Sequence, residues 1–234
     1  MLSFRRVGWS MGATRILHDV DLGVRGGEIV VLVGPSGVGK TTVLRLAAGL
    51  ITATCGCVES ETERVAMVFQ EPRLLPWETA LDNAALPLEA AGLKRAPARQ
   101  VASRWLERLA LSPADRQKRP AELSGGMKAR VAIARAFVGE PDLVLMDEPF
   151  ANLDRTLRAD LQDLIRCLVD ETGVGVLFVT HDLSEAARLA DRVVALSGRP
   201  ARVTADFARD RSLLGQDPWA EASRIAAMAG FEQG

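Results

Sequence analysis

Short, unbroken apolar runs recur along this chain, each ending abruptly at polar residues. Glu28-Ile29-Val30-Val31-Leu32-Val33 reads as a strand buried on both faces. Arg64-Val65-Ala66-Met67-Val68-Phe69 predicts another, ending at Gln70. Three more follow: Leu143-Val144-Leu145-Met146, then Val174-Gly175-Val176-Leu177-Phe178-Val179, then Arg192-Val193-Val194-Ala195-Leu196. Between these runs the spacing turns helical, predicting a helix over 42–48 stopped by Gly49, one near 155–170 and one near 183–190. Residues 2–33 read as strand-rich, with a turn near Gly26-Gly27. From about 78 to 138 the chain is rich in Ala, Leu, Arg and Glu with helical periodicity, and Pro87, Pro97, Pro113 and Pro120 predict breaks into several helices. Beyond about 205 the pattern fades, with a short helix expected over 219–228. Strands alternating with helices argue for a mainly parallel sheet covered by helices, and the central helical stretch for an inserted lobe.

The first buried run leads straight into Gly34-Pro35-Ser36-Gly37-Val38-Gly39-Lys40-Thr41, and Thr42 opens the helix that follows. This is the G-x-x-x-x-G-K-[ST] phosphate-binding pattern in its strand–loop–helix setting. Glycines let successive backbone N–H groups turn inward onto phosphate oxygens. The helix N-terminus adds free donors and a favourable dipole. Lys40 would reach the β- and γ-phosphates, and the Thr41 hydroxyl would ligate Mg²⁺.

Two other predicted strands end in groups suited to the same chemistry. Leu143-Val144-Leu145-Met146 stops at Asp147-Glu148. Asp147 suits a Mg²⁺ shell, and Glu148 can take a proton from a water in line with the γ-phosphate. The alternative is a pair of ordinary carboxylates where a strand enters a loop. Val179 is followed by Thr180-His181, and His181 can donate to a γ-phosphate or simply cap a helix. Ser124-Gly125-Gly126 precedes a helical run, with Ser124 as a candidate cap and the glycines leaving N–H groups open; a capped helix with a pliant lead-in reads equally well.

Bulk properties narrow the setting. The 234 residues are 48% hydrophobic and 25% charged, enough for one sizeable core, and 29 basic against 30 acidic side chains leave a net charge of −1. That balance supplies no broad field for nucleic acid. Cys55, Cys57 and Cys167 make an odd number without a secretory leader, which implies reduced thiols in a cytoplasmic protein. Cys55-Gly56-Cys57 lacks a second ligand pair and reads as two small residues in or beside a strand. No apolar stretch is long enough to span a bilayer, so work at a membrane would need a partner.

Taken in order, these motifs resemble the ATP-binding subunit of an ATP-binding cassette (ABC) transporter over residues 2–200. Leu123-Ser124-Gly125-Gly126-Met127 resembles the family signature, Gln70 the Q-loop glutamine, Ala151-Asn152-Leu153-Asp154 the D-loop and His181 the switch histidine. The resemblance implies an α/β fold: a P-loop NTPase core with a mainly parallel sheet, N-terminal antiparallel β strands and an inserted α-helical lobe. It implies one ABC ATPase domain over 1–234, with core at about 1–70 and 140–205, helical lobe at about 71–139 and tail at about 206–234. It further implies ATP and Mg²⁺ as cofactors, with Thr41, Gln70 and Asp147 on the metal. Glu148, His181 and Lys40 would be catalytic. ATP would be held between residues 34–42 of one copy and Ser124-Gly125-Gly126 of the other in a head-to-tail dimer or with a paired ABC subunit. Met127 stands where glutamine is usual, and Ala151-Asn152 where Ser-Ala is usual. An aromatic is expected near Met11 to stack on adenine; Trp9 is the nearest candidate, and a core tryptophan is the competing role.

Residues 71–83, Glu71-Pro72-Arg73-Leu74-Leu75-Pro76-Trp77-Glu78-Thr79-Ala80-Leu81-Asp82-Asn83, are similar to importer ATPases of the nitrate, sulfonate and taurine group. Leu74-Leu75-Pro76-Trp77 is expected to receive a helix of a transmembrane permease, or to pack inside the helical lobe. The resemblance thus implies solute import at the cytoplasmic face of the inner membrane, with permease subunits and an external solute-binding protein and no nucleic acid. A soluble ABC ATPase of DNA repair or translation, and a lipid-traffic or export motor, are the alternatives. Coiled-coil insertions and basic arms, which would favour the former, are not visible.

Overall fold

The computed structural model describes residues 1–151, 153–209 and 218–230. Three strands open the chain: β1 (Leu2–Met11), β2 (Thr14–Val24) and β3 (Ile29–Val33). After α1 (Lys40–Ala47) come β4 (Cys55–Ser60) and β5 (Val65–Val68). Four helices intervene before the sheet resumes: α2 (Ala80–Ala90), α3 (Arg95–Arg108), α4 (Pro113–Arg116) and α5 (Gly125–Phe137). Then β6 (Leu143–Asp147), α6 (Arg155–Thr172), β7 (Gly175–Thr180), α7 (Leu183–Leu189), β8 (Arg192–Ser197), β9 (Arg202–Ala208) and α8 (Pro218–Ala229) complete the fold.

The strands form two sheets. One is antiparallel, in the order β2-β1-β4; the other runs β5-β6-β7-β3-β8-β9, parallel except for β9 against β8. Alternation along the central strands divides the interior. Ile29, Val31 and Val33 point into a core shared with the covering helices, while Val30 and Leu32 point into a core shared with the antiparallel sheet and α1. Val144 with Met146, and Leu143 with Leu145, divide in the same way. A strand clad on both faces needs apolar side chains at every position, which is why these runs are unbroken.

The expected strands and helices stand within a residue or two of their predicted limits, and Gly49, at φ +67, ends the first helix. Cys55 and Cys57 lie on β4, and the three cysteines are free and exposed. Two expectations fail. Pro87 does not break a helix but lies inside α2, and Pro97 likewise lies within the first turn of α3, where the helix has no backbone hydrogen bond to lose. The Pro87 ring costs one backbone hydrogen bond near the helix end, and buried Ala80, Leu81, Ala84 and Ala85 hold the segment helical by packing. β9 extends the sheet beyond 205, where no strand is predicted; as an edge strand it alternates half-buried and exposed residues. The predicted tail helix is present as α8. Among the described residues, no helix is long and apolar enough to cross a membrane.

Candidate functional site

Because β6, β7 and β3 are adjacent and parallel, their carboxyl ends open on one edge of the sheet. That edge gathers the loop after β3, Asp147 at the end of β6 with Glu148 just beyond it, and His181 after β7. The loop runs from Gly34 to the first turn of α1, and its glycines are required by space and by torsion. A Cβ on Gly34 would stand 2.5 Å from the Leu196 carbonyl oxygen, and Gly39 adopts φ +118 with Ile16 and Leu17 packed against it. Pro35, Ser36 and Gly37 are exposed at the crest, Val38 is buried beneath it, and Thr42 is half-buried on the helix.

Lys40 is buried, and its Nζ donates to the carbonyls of Gly34 at 2.8 Å and Pro35 at 3.1 Å. The same ammonium lies 3.9 Å from Glu148 Oε1. Burial pulls the Lys40 pKa down, and the charges of Glu148 and Asp147 oppose that pull. The Thr41 hydroxyl donates to Asp147 Oδ1 at 3.3 Å. Burial pushes the Asp147 carboxyl up, with the Thr41 hydrogen bond opposing. A hydroxyl and a carboxylate oxygen side by side are the hard donors Mg²⁺ takes, so the residues fit that ion.

Glu148 takes φ +44, a conformation rare for a residue with a side chain, and its N–H donates to the Val179 carbonyl at 3.0 Å. The turn aims the carboxylate across the strand ends, where Oε2 meets His181 Nδ1 at 2.9 Å. Strain held by surrounding bonds is frequent where a side chain must be presented to a reaction. Lys40, Thr41, Asp147, Glu148 and His181 therefore form one contiguous set.

The other predicted residues stand apart from it. Gln70 is exposed, two residues beyond β5. Ser124 caps α5 by accepting from the Met127 N–H at 3.2 Å. Gly125 is exposed, whereas Gly126 is buried against Leu157. Among the described residues, no side-chain hydrogen bond joins Gln70 or Ser124 to the phosphate loop. Met127, in place of glutamine, packs on the core. Trp9 is half-buried on the second core, whereas Met11 at the strand end is 66% exposed. Leu74 packs inward, as the lobe-packing alternative expects, while Trp77 is 65% exposed. Asn152 of the D-loop lies outside the described residues.

Three interactions near the site carry no sequence prediction. Asn83 is buried, bonding the Leu75 N–H and the carbonyls of Leu75, Glu78 and Thr79, so it pins the loop bearing Trp77. Arg135 donates to the carbonyls of Pro72 and Arg73 and so fastens the segment after Gln70. Arg158 binds the residues that follow His181; Asp182 followed three places on by Glu185 is a capping signature that could have marked that loop.

A glycine-rich loop at a helix start, with a hydroxyl–carboxylate pair and a further carboxylate at the ends of parallel strands, is the arrangement that nucleoside-triphosphate hydrolysis calls for. The ABC transporter family model matches residues 17–151, and the chain belongs to that family. It is 44% identical over 187 residues to an aliphatic sulfonates import ATP-binding protein of Corynebacterium glutamicum, covering 80% of this chain and 76% of that protein. A second protein of that description, from Burkholderia cenocepacia, is 42% identical over 233 residues, covering 95% and 84%. The taurine import ATP-binding protein of Escherichia coli O157:H7 is 38% identical over 210 residues, covering 87% and 82%. Among solved structures, a dimeric ATP-binding cassette in a post-hydrolysis state with ADP and Pi superposes with a TM-score of 0.80 at 30% identity, covering 90% of this chain and all (100%) of that one. The chain is thus an ABC ATPase cassette of P-loop NTPase fold that binds ATP and drives transport by hydrolysing it.

Proposed function

We propose that this chain is the motor of a solute importer of the sulfonate and taurine class, working as a head-to-tail dimer on the cytoplasmic face of the inner membrane. It forms one domain, with residues 71–139 as a helical lobe inserted into the ATPase core. The convergence of Lys40, Thr41, Asp147, Glu148 and His181 carries the reading. Residues 34–42 cradle the triphosphate, and Thr41 and Asp147, with Gln70 from the segment after β5, would hold Mg²⁺, which when bound would offset phosphate charge. Glu148 orients the attacking water and accepts its proton, Lys40 supports the β- and γ-phosphates, and His181 donates to the γ-phosphate. Ser124-Gly125-Gly126 of the second copy closes over the nucleotide, and Trp9 flanks the adenine.

The γ-phosphate links the two copies, so its loss shifts the population toward the open dimer. Trp77, exposed on a loop pinned by Asn83, supports a docking face for the permease. An external binding protein delivers the solute, and nucleic acid is not a partner. The test is reconstitution with the membrane subunits in vesicles, following uptake of taurine and short alkanesulfonates. ATP-dependent uptake that Glu148→Gln abolishes is expected. ATP turnover without uptake of any sulfonate would overturn the substrate class. Retention on DNA or ribosomes instead would overturn the importer reading.

A further inference from the structure

Arg158, in the first turn of α6, reaches three oxygens with three different nitrogens. Nη2 donates to the Leu153 carbonyl at 3.3 Å, Nη1 donates to Asp182 Oδ2 at 2.8 Å, and Nε lies 3.8 Å from Glu185 Oε1. Leu153 lies five residues beyond Glu148; Ala151 N–H donates to the Glu148 carbonyl and Leu153 N–H to the Phe150 carbonyl. Asp182 immediately follows His181. Its N–H donates to Thr180 Oγ1 at 2.9 Å, and the Thr180 hydroxyl donates to Glu185 Oε2 at 2.6 Å. Asp182 Oδ1 also accepts from the Ser184 N–H and hydroxyl, so the turn carrying His181 is bonded on both sides.

Arg158 and Asp182 are each only partly exposed, which places this ion pair where Coulombic attraction is screened less than at an open surface, and Glu185, 3% exposed, lies buried beside it. His181 itself is half open, and its one side-chain hydrogen bond among the described residues is to Glu148. The strand ladder and the Glu148 N–H bond to the Val179 carbonyl hold the near ends of the Glu148 and His181 segments together, and Arg158 adds the link between their far ends.

We propose that Arg158 is a positioning residue for hydrolysis: it holds the segment after Glu148 in register with the loop carrying His181 without touching the nucleotide. The inference rests on the reading that Glu148 and His181 act on ATP. A planar fork suits the place because Nη1 and Nη2 donate to the Asp182 carboxylate and the Leu153 carbonyl at once, while Nε, without a hydrogen-bond partner among the described residues, faces Glu185 at 3.8 Å; a single ammonium reproduces this arrangement only in part. Misplacement of catalytic groups on the order of 1 Å is enough to cost ~10²-fold in rate.

The test measures ATP affinity by equilibrium titration and turnover in steady state for the full-length wild type, Arg158→Met, Arg158→Lys and Glu148→Gln. Arg158→Met is expected to lower kcat about tenfold or more while the ATP Kd stays within about twofold, with Arg158→Lys recovering part of the loss. Unchanged kcat in Arg158→Met, or a parallel loss of affinity and turnover, would overturn the proposal. If Arg158→Met does not fold, Asp182→Asn decides: a selective fall in kcat supports the joint and wild-type turnover overturns it. Glu148→Gln separates the two levels of failure. Wild-type turnover in that variant sinks the reading of the site and this inference together, whereas a slow Glu148→Gln beside a fully active Arg158→Met sinks the inference alone.

Discussion

The Nδ1 nitrogen of His181 stands 2.9 Å from Glu148 Oε2, across the gap between two parallel strand ends. Each side chain thereby limits where the other can point before substrate arrives. The other Glu148 oxygen lies near Lys40, so the carboxylate is shared between a cation and an imidazole. Glu148→Gln preserves the shape but removes the group that takes up a proton. ATP binding is expected to persist while turnover falls by roughly a hundredfold or more, read by nucleotide titration beside phosphate release. Turnover at the wild-type rate would remove Glu148 from the mechanism.

Lys40 offers a second handle on the same site. Its ammonium is already satisfied by the Gly34 and Pro35 carbonyls, so it is held inside the loop rather than extended into solvent. Lys40→Ala deletes that charge and leaves the carbonyls without their donor. Nucleotide affinity or kcat is expected to fall by about tenfold or more, since a charge-assisted contact to phosphate is worth more than a neutral one. Equal affinity and equal turnover in wild type and variant would show that Lys40 plays no part.

The loop around Lys40 was readable because its geometry is written in consecutive residues: a buried strand, fixed glycine spacing, a helix. Asp147, Glu148 and His181 were readable for a related reason, since an apolar run clad on both faces can stop at charge only where it leaves the sheet. Arg158 was not. Its partners belong to Leu153, Asp182 and Glu185, and only the packing of α6 against α7 brings them together. β9 escaped because Thr204 and Asp206 face solvent on an edge strand, leaving a weak apolar signal. Pro87 misled because the local rule for proline gave way to packing around α2.

Glu185 ties stability to pH. Burial, ahead of the opposing Thr180 hydrogen bond and Arg158 charge, raises its pKa from an ordinary 4.5 to about 7. The folded state thus holds this proton more tightly than the unfolded chain does. Its advantage is complete below about 4.5, declines as pH rises and is gone above about 7. Glu185→Gln keeps an acceptor for Thr180 and has no proton to lose. Urea unfolding should show the variant gaining on wild type between pH 5 and 8, by up to roughly 3 kcal/mol. A difference that stays constant, or moves the other way, would show that Glu185 is not held neutral by the fold.

Gly126 and Leu157 give the last prediction, because their contact joins the start of α5 to the first turn of α6. A Cβ at Gly126 would stand 2.1 Å from Leu157 Cδ2 and 3.2 Å from its Cγ, so one added methyl must displace that side chain. Alanine otherwise favours a helix over glycine by about 1 kcal/mol, which sets two effects against each other at one position. Leu157 is packed on the core, and turning it aside loses apolar contact. Gly126→Ala alone is therefore expected to be neutral or destabilising. In a Leu157→Ala background the obstruction is gone, the propensity gain remains, and the same substitution should stabilise. A double-mutant cycle in denaturant isolates the difference, expected at about 1–2 kcal/mol of coupling. Additive effects would mean that the two helices do not meet at this glycine, and that the Ser124-Gly125-Gly126 surface is not seated on α6.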